Sequence, residues 1–321
     1  MTIPMDTMPP SVARYLSYKL SIQGSSEKTV YEYGIVLNNF FSFLFRARFS
    51  DENKEDLSQI SDKDIASVTS QQIYEYLLYC ATVFHNQNAT RARKLSAIKG
   101  FYKFLAHKEK SIPDDPTQHI DAPRVSHPLP RFLSLEESEK LLDAVRLDQS
   151  NPNRLRDNAI LTLFLNTGMR VSEMASISLS DFSSDCSELI VTGKGNKQRL
   201  IYLNSACVSA LSAYVAQRKG IVCRDNEALF VSRNHRRLSV KTIQWLVYKY
   251  LKLAGLGDMN YSVHKLRHTA ATLMYGTGKV DVRVLKDILG HEQLNTTQIY
   301  THVSDQQMKN AMENNPLNDK K

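Results

Sequence analysis

The amino-acid sequence predicts a mainly α-helical protein with one small β-sheet, divided into an all-helical first part and an α+β second part. Three observations carry this expectation. Apolar residues recur at helical spacing through much of residues 11–107. Five of the ten prolines crowd into residues 112–130, a density that no helix or inner strand tolerates. Two short β-rich runs flank a glycine-containing turn near residue 195. A length of 321 residues accommodates two domains.

In the first part, residues 11–23 form one amphipathic stretch that Gly24 ends. Ser25 or Ser26 can cap a second helix, whose apolar side is Val30, Tyr33, Leu37, Phe40, Phe41 and Leu44. A third helix over 69–83 buries Ile73, Tyr76, Leu77 and Cys80. A fourth over 90–107 buries Leu95, Ile98, Tyr102 and Leu105. Four short helices around one core make a small bundle. The proline-rich stretch that follows reads as an extended linker.

In the second part, Ser134 and Glu137 have capping-box spacing and open a helix through residue 145. A helix over 157–166 stops at Thr167-Gly168. Runs 188–191 and 199–203 read as a hairpin around Gly193-Lys194-Gly195-Asn196. Helices then follow over 208–219, 240–253, 264–275 and 282–289, and the tail over 314–321 is expected to fray.

No apolar run approaches the ~20 residues that a membrane helix needs, and residues 1–10 lack the pattern of a signal peptide. The expected location is therefore the cytoplasm. Cys80, Cys186, Cys207 and Cys223 include no C-x-x-C pair, so a zinc ribbon or thioredoxin motif is excluded and reduced thiols are expected. The net charge of +8 is uneven. Residues 1–130 carry 15 basic and 14 acidic side chains, whereas 131–321 carry 26 and 19, so the excess lies in the second part. Within the first part, residues 51–64 hold six acids, and residues 91–110 hold seven bases against one acid, Glu109. Such segregation suits a polyanionic partner.

No local pair identifies the chemistry. With nine His and nineteen Arg in the chain, roughly half a His-x-x-Arg match is expected by chance. His264 and His268 have an i, i+4 zinc spacing, but no Glu follows His264 and no third ligand is evident. The joint order is more telling. Thr167-Gly168-Met169-Arg170-Val171-Ser172-Glu173 precedes Lys194 in the hairpin turn. Then come His264-Lys265-Leu266-Arg267-His268, Leu289-Gly290-His291 and Tyr300.

On these residues the sequence resembles the tyrosine recombinase (phage integrase) family, and most of all its Xer recombinases, over nearly the whole chain. The resemblance implies a SAM-like four-helix core-binding domain over 8–111, a linker over 112–130, and an α+β catalytic domain with a C-terminal tail over 131–315. It implies a catalytic set of Arg170, Lys194, His264, Arg267, His291 and Tyr300, supported by Glu173. No metal and no cofactor are called for.

These residue types suit transesterification at phosphorus. A tyrosine hydroxyl is a nucleophile that forms a covalent intermediate, although its ordinary pKa of about 10 means that it needs help at neutral pH. Two guanidiniums offer forked, permanently charged donors to the phosphate. His264 would donate to the phosphate or take the tyrosine proton, and His291 would add another hydrogen bond. By the resemblance, Lys194 is general acid to the departing 5′ oxygen.

For double-stranded DNA, the candidates are Arg91, Lys94, Lys99 and Lys103 on the fourth helix and Arg236 and Arg237 before residue 240. Val303, Met308, Ala311 and Met312 form an apolar stripe after Tyr300. In the family this segment joins subunits cyclically in a DNA-bound tetramer. The partners implied are a second copy or a second recombinase, with a possible DNA translocase and no membrane. The function implied is site-specific recombination through a 3′-phosphotyrosyl intermediate and a Holliday junction, with chromosome dimer resolution as the expected role. The integrase of a mobile element is the alternative; the early start of the core-binding helices leaves no room for its usual arm-binding domain. A type IB topoisomerase and a catalytically silent DNA-binding regulator stand outside the class.

Overall fold

The computed structural model describes residues 5–46, 56–125, 131–193, 196–278 and 280–290. The chain divides into two compact units, Met1–Pro128 and Leu129–Lys321.

The first unit is built from α1 (Pro10–Ser21), α2 (Glu27–Phe45), α3 (Asp62–Ala66), α4 (Ser70–Thr82) and α5 (Asn88–Phe104). Pro10 opens α1 where its missing N–H costs nothing. The Ser26 hydroxyl accepts from the Thr29 amide at 3.2 Å and caps α2. Leu16, Leu37, Phe40, Phe41, Tyr76, Ile98, Phe101 and Tyr102 are fully enclosed and form the core. The short α3 is absent from the sequence expectation. There its acids read as a charge block, yet Ser61 and Asp64 make a reciprocal capping box, and Asp62 and Asp64 sit in the first turn, where the helix dipole favours them.

The proline-rich stretch also differs from its expectation. Up to residue 125 it is packed onto this unit: Ile112 and Ile120 are buried in its core. Ser70 Oγ donates to the Pro116 carbonyl at 2.6 Å, and Asn88 Nδ2 donates to the Arg124 carbonyl at 2.6 Å. Proline excludes helix and inner strand but leaves a chain free to lie along a surface.

The second unit contains α6 (Leu135–Leu147), α7 (Arg154–Thr167), α8 (Val171–Ser176), a hairpin of β1 (Glu188–Thr192) and β2 (Gln198–Tyr202), then α9 (Ser205–Arg218), α10 (Val240–Leu253), α11 (Val263–Gly276) and α12 (Val282–Leu289). Helix α7 is central and packs against α6, α9 and α11. Residues 159–165 are therefore all buried, and α7 lacks the two-faced pattern of a surface helix. Leu161, Leu163, Leu165 and Phe164 each contribute about 1.5–3 kcal/mol by leaving water. Strands β1 and β2 pair antiparallel, Leu189 with Ile201 and Val191 with Arg199. Leu189 and Val191 face the core while Ile190 is exposed, which fixes the register. Among the described residues no helix is long and apolar enough to cross a membrane.

Candidate active site

Helix α7 ends at Gly168, whose φ is +63°. A side chain there would be strained, and its Cβ would lie 2.7 Å from Leu289 Cδ2 and 3.4 Å from Ala270 Cβ. Gly168 thus lets α11 and α12 approach the end of α7. Two residues later, Arg170 stands at the N-cap of α8, with Glu173 at the third position of that helix. Glu173 reaches back to accept from the Arg170 amide at 2.8 Å and from Arg170 Nη1 at 2.8 Å.

Glu173 is 2% exposed. It also takes two parallel bonds, each 2.9 Å, from Nη1 and Nη2 of Arg199 on β2. Burial alone would raise its pKa; the bonds from Arg199 and Arg170 win and hold it at about 2.

His264 and Arg267 both lie on α11, one turn apart. Arg267 is 3% exposed, with Nη1 donating to the Gly168 carbonyl at 2.7 Å and Nη2 to the Leu289 carbonyl at 2.7 Å. His264 is on the exposed side of the helix. Desolvation, then the charges of Arg267 and Arg170, lower its pKa, so its imidazole is neutral at pH 7. The His268 ring meets it edge-on at 4.6 Å and is lowered further, to about 4, by burial and by His264, Arg267 and Lys265.

The C-terminus of α12 is where these groups converge. Gly290 ends the helix at φ +66°. Arg199 Nε donates to the Ile288 carbonyl at 3.0 Å, Arg267 Nη2 to Leu289, and Arg170 Nη2 to Gly290 at 2.9 Å. Three successive carbonyls that a helix end leaves unpaired each accept from an arginine of a different element. The negative end of the α12 dipole favours these cations.

Arg170, Glu173, His264 and Arg267 are therefore brought together. Lys194, His291 and Tyr300 lie outside the described residues, as does the apolar stripe Val303, Met308, Ala311 and Met312. Their chain neighbours Gly193 and Gly290 do reach the cluster: a Cβ on Gly193 would lie 3.5 Å from Glu173 Oε1, and one on Gly290 would lie 3.0 Å from Arg199 Nη1. Sequence reading missed Arg199. Its only signal was a basic residue directly before the apolar run Leu200-Ile201-Tyr202.

The basic residues on α5 do not form one stripe. Nine residues turn a helix through about 900°, so Lys94 and Lys103 point to opposite sides. Lys94 turns inward, with Nζ donating to Cys80 Sγ at 3.3 Å and lying over the rings of Tyr76 and Phe84. Arg91 donates to Asn88 Oδ1 and is half-buried, as is Lys99, whereas Lys103 is exposed. Arg237 likewise departs from the expected role. Its guanidinium donates to Asp225 Oδ2 (2.8 Å), to the Ser176 and Ile177 carbonyls (2.6 and 2.8 Å) and to Ser178 Oγ (3.0 Å), which makes it an internal tie. Arg236 is exposed. With Arg233, Lys241, Lys249 and the exposed Trp245 it lines an open hollow of about 750 Å³.

Known proteins resemble this chain over most of its length. Residues 131–307 fit the phage integrase family, and residues 12–109 fit the phage integrase N-terminal SAM-like domain. The tyrosine recombinase XerC of Caldanaerobacter subterraneus subsp. tengcongensis is 46% identical over 314 residues, covering 96% of this chain and 87% of that protein. The tyrosine recombinase XerD of Halalkalibacterium halodurans is 30% identical, covering 96% and 97%. The crystal structure of XerH site-specific recombinase bound to its difH substrate, in a pre-cleavage complex, shares the fold with a TM-score of 0.71 at 22% identity, covering 97% of each chain. Motif order, fold and relatives agree: the chain belongs to the phage integrase family and is a tyrosine recombinase, with Xer recombinases among its relatives.

Proposed function

We propose that this protein is an Xer-type site-specific recombinase that resolves chromosome dimers in the cytoplasm. The observation that carries the reading is the convergence of Arg170 and Arg267 on the end of α12, with His264 within the field of both charges, in a chain 46% identical to a XerC.

Tyr300 attacks the scissile phosphate and forms a 3′-phosphotyrosyl bond, which keeps the energy of the broken phosphodiester for religation. Arg170 and Arg267 stabilise the charge on the non-bridging oxygens. His264, neutral at pH 7, accepts the tyrosine proton, and Lys194 protonates the departing 5′ oxygen. His291 adds a hydrogen bond to the phosphate, and Glu173 holds Arg170 in place.

Residues 8–111 form the core-binding domain, 112–130 connect it, and 131–315 hold the catalytic domain and tail. Duplex DNA is gripped by exposed bases such as Lys103 and Arg236. Four subunits bring two sites together, the second pair being further copies or a XerD-type recombinase. A DNA translocase is the expected activator.

The test is a plasmid carrying two candidate chromosomal sites, with this protein alone or with a XerD-type partner. Site-dependent resolution through a Holliday junction is expected. Relaxation of plasmids of any sequence, with no recombinant product, would instead assign a topoisomerase.

A further inference from the structure

We propose that Arg199 is a positioning residue for strand cleavage: its guanidinium locks the hairpin, Glu173 and the end of α12 into one unit, and so sets where the two segments after Gly193 and Gly290 begin. The inference rests on the functional reading above, because those segments start with Lys194 and His291.

Arg199 lies on β2, paired with Val191 on β1. The Gly193 amide donates to the Lys197 carbonyl at 2.7 Å, which closes the base of the turn. The hairpin is therefore hydrogen-bonded as one piece up to Gly193. From this piece the Arg199 side chain, 15% exposed, makes three bonds to two other elements. Two go to the Glu173 carboxylate of α8 at 2.9 Å, and one goes to the Ile288 carbonyl of α12 at 3.0 Å.

The guanidinium occupies a slot walled by the two glycines. A Cβ on Gly290 would lie 3.0–3.2 Å from its Nη1, Cζ and Cδ atoms, and one on Gly193 would lie 3.8 Å from Nη1. Each glycine directly precedes a proposed catalytic residue. Only a planar fork can bond both carboxylate oxygens through its two Nη atoms and still turn Nε to a carbonyl; a lysine ammonium is a single point. The carboxylate that receives the fork also holds the Arg170 backbone and side chain. One side chain thereby links its own hairpin to Arg170 and to the end of α12, neither of which adjoins it in sequence.

An ordinary buried ion pair would show the same contacts, so the test needs readouts that a purely stabilising pair would not move. Arg199→Ala and Arg199→Lys are compared with the wild type and with Tyr300→Phe. The assay is single-turnover formation of the denaturant-resistant adduct on a nicked duplex site. DNA affinity and thermal melting are measured on the same preparations. Misplacing a catalytic group by an ångström costs about 100-fold. The expected result is that adduct formation falls by about this factor in both variants while DNA affinity stays within about threefold. Guanidinium ion at millimolar concentration restores the rate of Arg199→Ala, and methylammonium does not.

Wild-type rate in Arg199→Lys would overturn the inference. So would rate and affinity falling in parallel with no rescue by guanidinium. If Arg199→Ala fails to fold, Arg199→Lys, which keeps the charge, decides by the same criteria. If the wild type itself gives no adduct that Tyr300→Phe lacks, the functional reading falls and the role of Arg199 falls with it.

Discussion

Arg199 and Glu173 meet end-on, Nη1 and Nη2 each 2.9 Å from a separate carboxylate oxygen, although 26 positions separate them in the chain. The pair ties a strand to a short helix and leaves Glu173 almost wholly buried, at 2% exposure. A buried carboxylate is tolerable only when its lone pairs are used, and here Arg170 supplies the remaining donors.

Glu173→Gln keeps the shape and removes the charge. The largely enclosed Arg199 guanidinium and the more exposed Arg170 guanidinium then lose their counter-ion, and one amide N–H faces an arginine donor. A destabilisation of about 3–5 kcal/mol is expected, read by denaturant unfolding. The pH dependence has a definite sign. The folded-state pKa of about 2 lies below the ordinary 4.5, so the carboxylate stabilises the fold above pH 4.5, and that stability drains away as pH falls towards 2. Glu173→Gln should show a shallower acid limb than the wild type. Equal limbs would remove Glu173 from the account.

Gly168 and Gly290 both have positive φ, but they meet different neighbours. In Gly168→Ala the new Cβ would sit 2.7 Å from Leu289 Cδ2, inside the packing of α12. In Gly290→Ala it would sit against the Arg199 guanidinium. Each change should cost about 1–3 kcal/mol through backbone strain. Gly290→Ala should additionally slow adduct formation at a temperature where it is fully folded. Measured together, melting and single-turnover rates separate the two effects; unchanged melting in Gly168→Ala would contradict the close approach of α12.

The histidines make a prediction of their own. His268, with a pKa of about 4 in the fold against an ordinary 6.5, binds its proton more readily when unfolded. Stability should therefore be complete above pH 6.5 and decline as pH falls towards 4. His268→Asn should flatten that part of the curve. His264 is also lowered, so the acid limb of the cleavage rate should lie below pH 6.5, checked by single-turnover rates across pH. An acid limb above that value would deny His264 the role of base.

Arg236 and Arg237 are neighbours with opposite expectations. Arg237→Ala removes ties to Asp225, Ser176, Ile177 and Ser178, and should lower the melting temperature with little change in the salt dependence of DNA binding. Arg236→Ala should leave melting unchanged and reduce the salt slope by about one phosphate contact. Binding measured against salt concentration for both variants decides it, and a reversed outcome would place Arg237 on the DNA.

Much of this was legible in the sequence because helical period and chain order are local signals. The helices around Leu37, Phe41 and Ile98 follow from apolar spacing, and the break at Thr167-Gly168 from glycine. Helix α3 was not legible, since five residues carry too little periodicity and their acids look like a solvated run. The packing of Ile112 and Ile120 was hidden by the prolines between them. Spacing places His264 and Arg267 a turn apart, yet three residues leave an angular offset of about 60°, enough to bury Arg267 and expose His264. Arg199 was invisible for another reason: its bonds reach positions 26 and 89 residues away, and nothing local marks their meeting.

The most direct measurement of the central claim is peptide mapping of the covalent DNA adduct formed on a nicked duplex site. One phosphotyrosyl linkage is expected, between Tyr300 and the 3′ phosphate, absent in Tyr300→Phe. Strand cleavage without that linkage, or an adduct on any other residue, would contradict it.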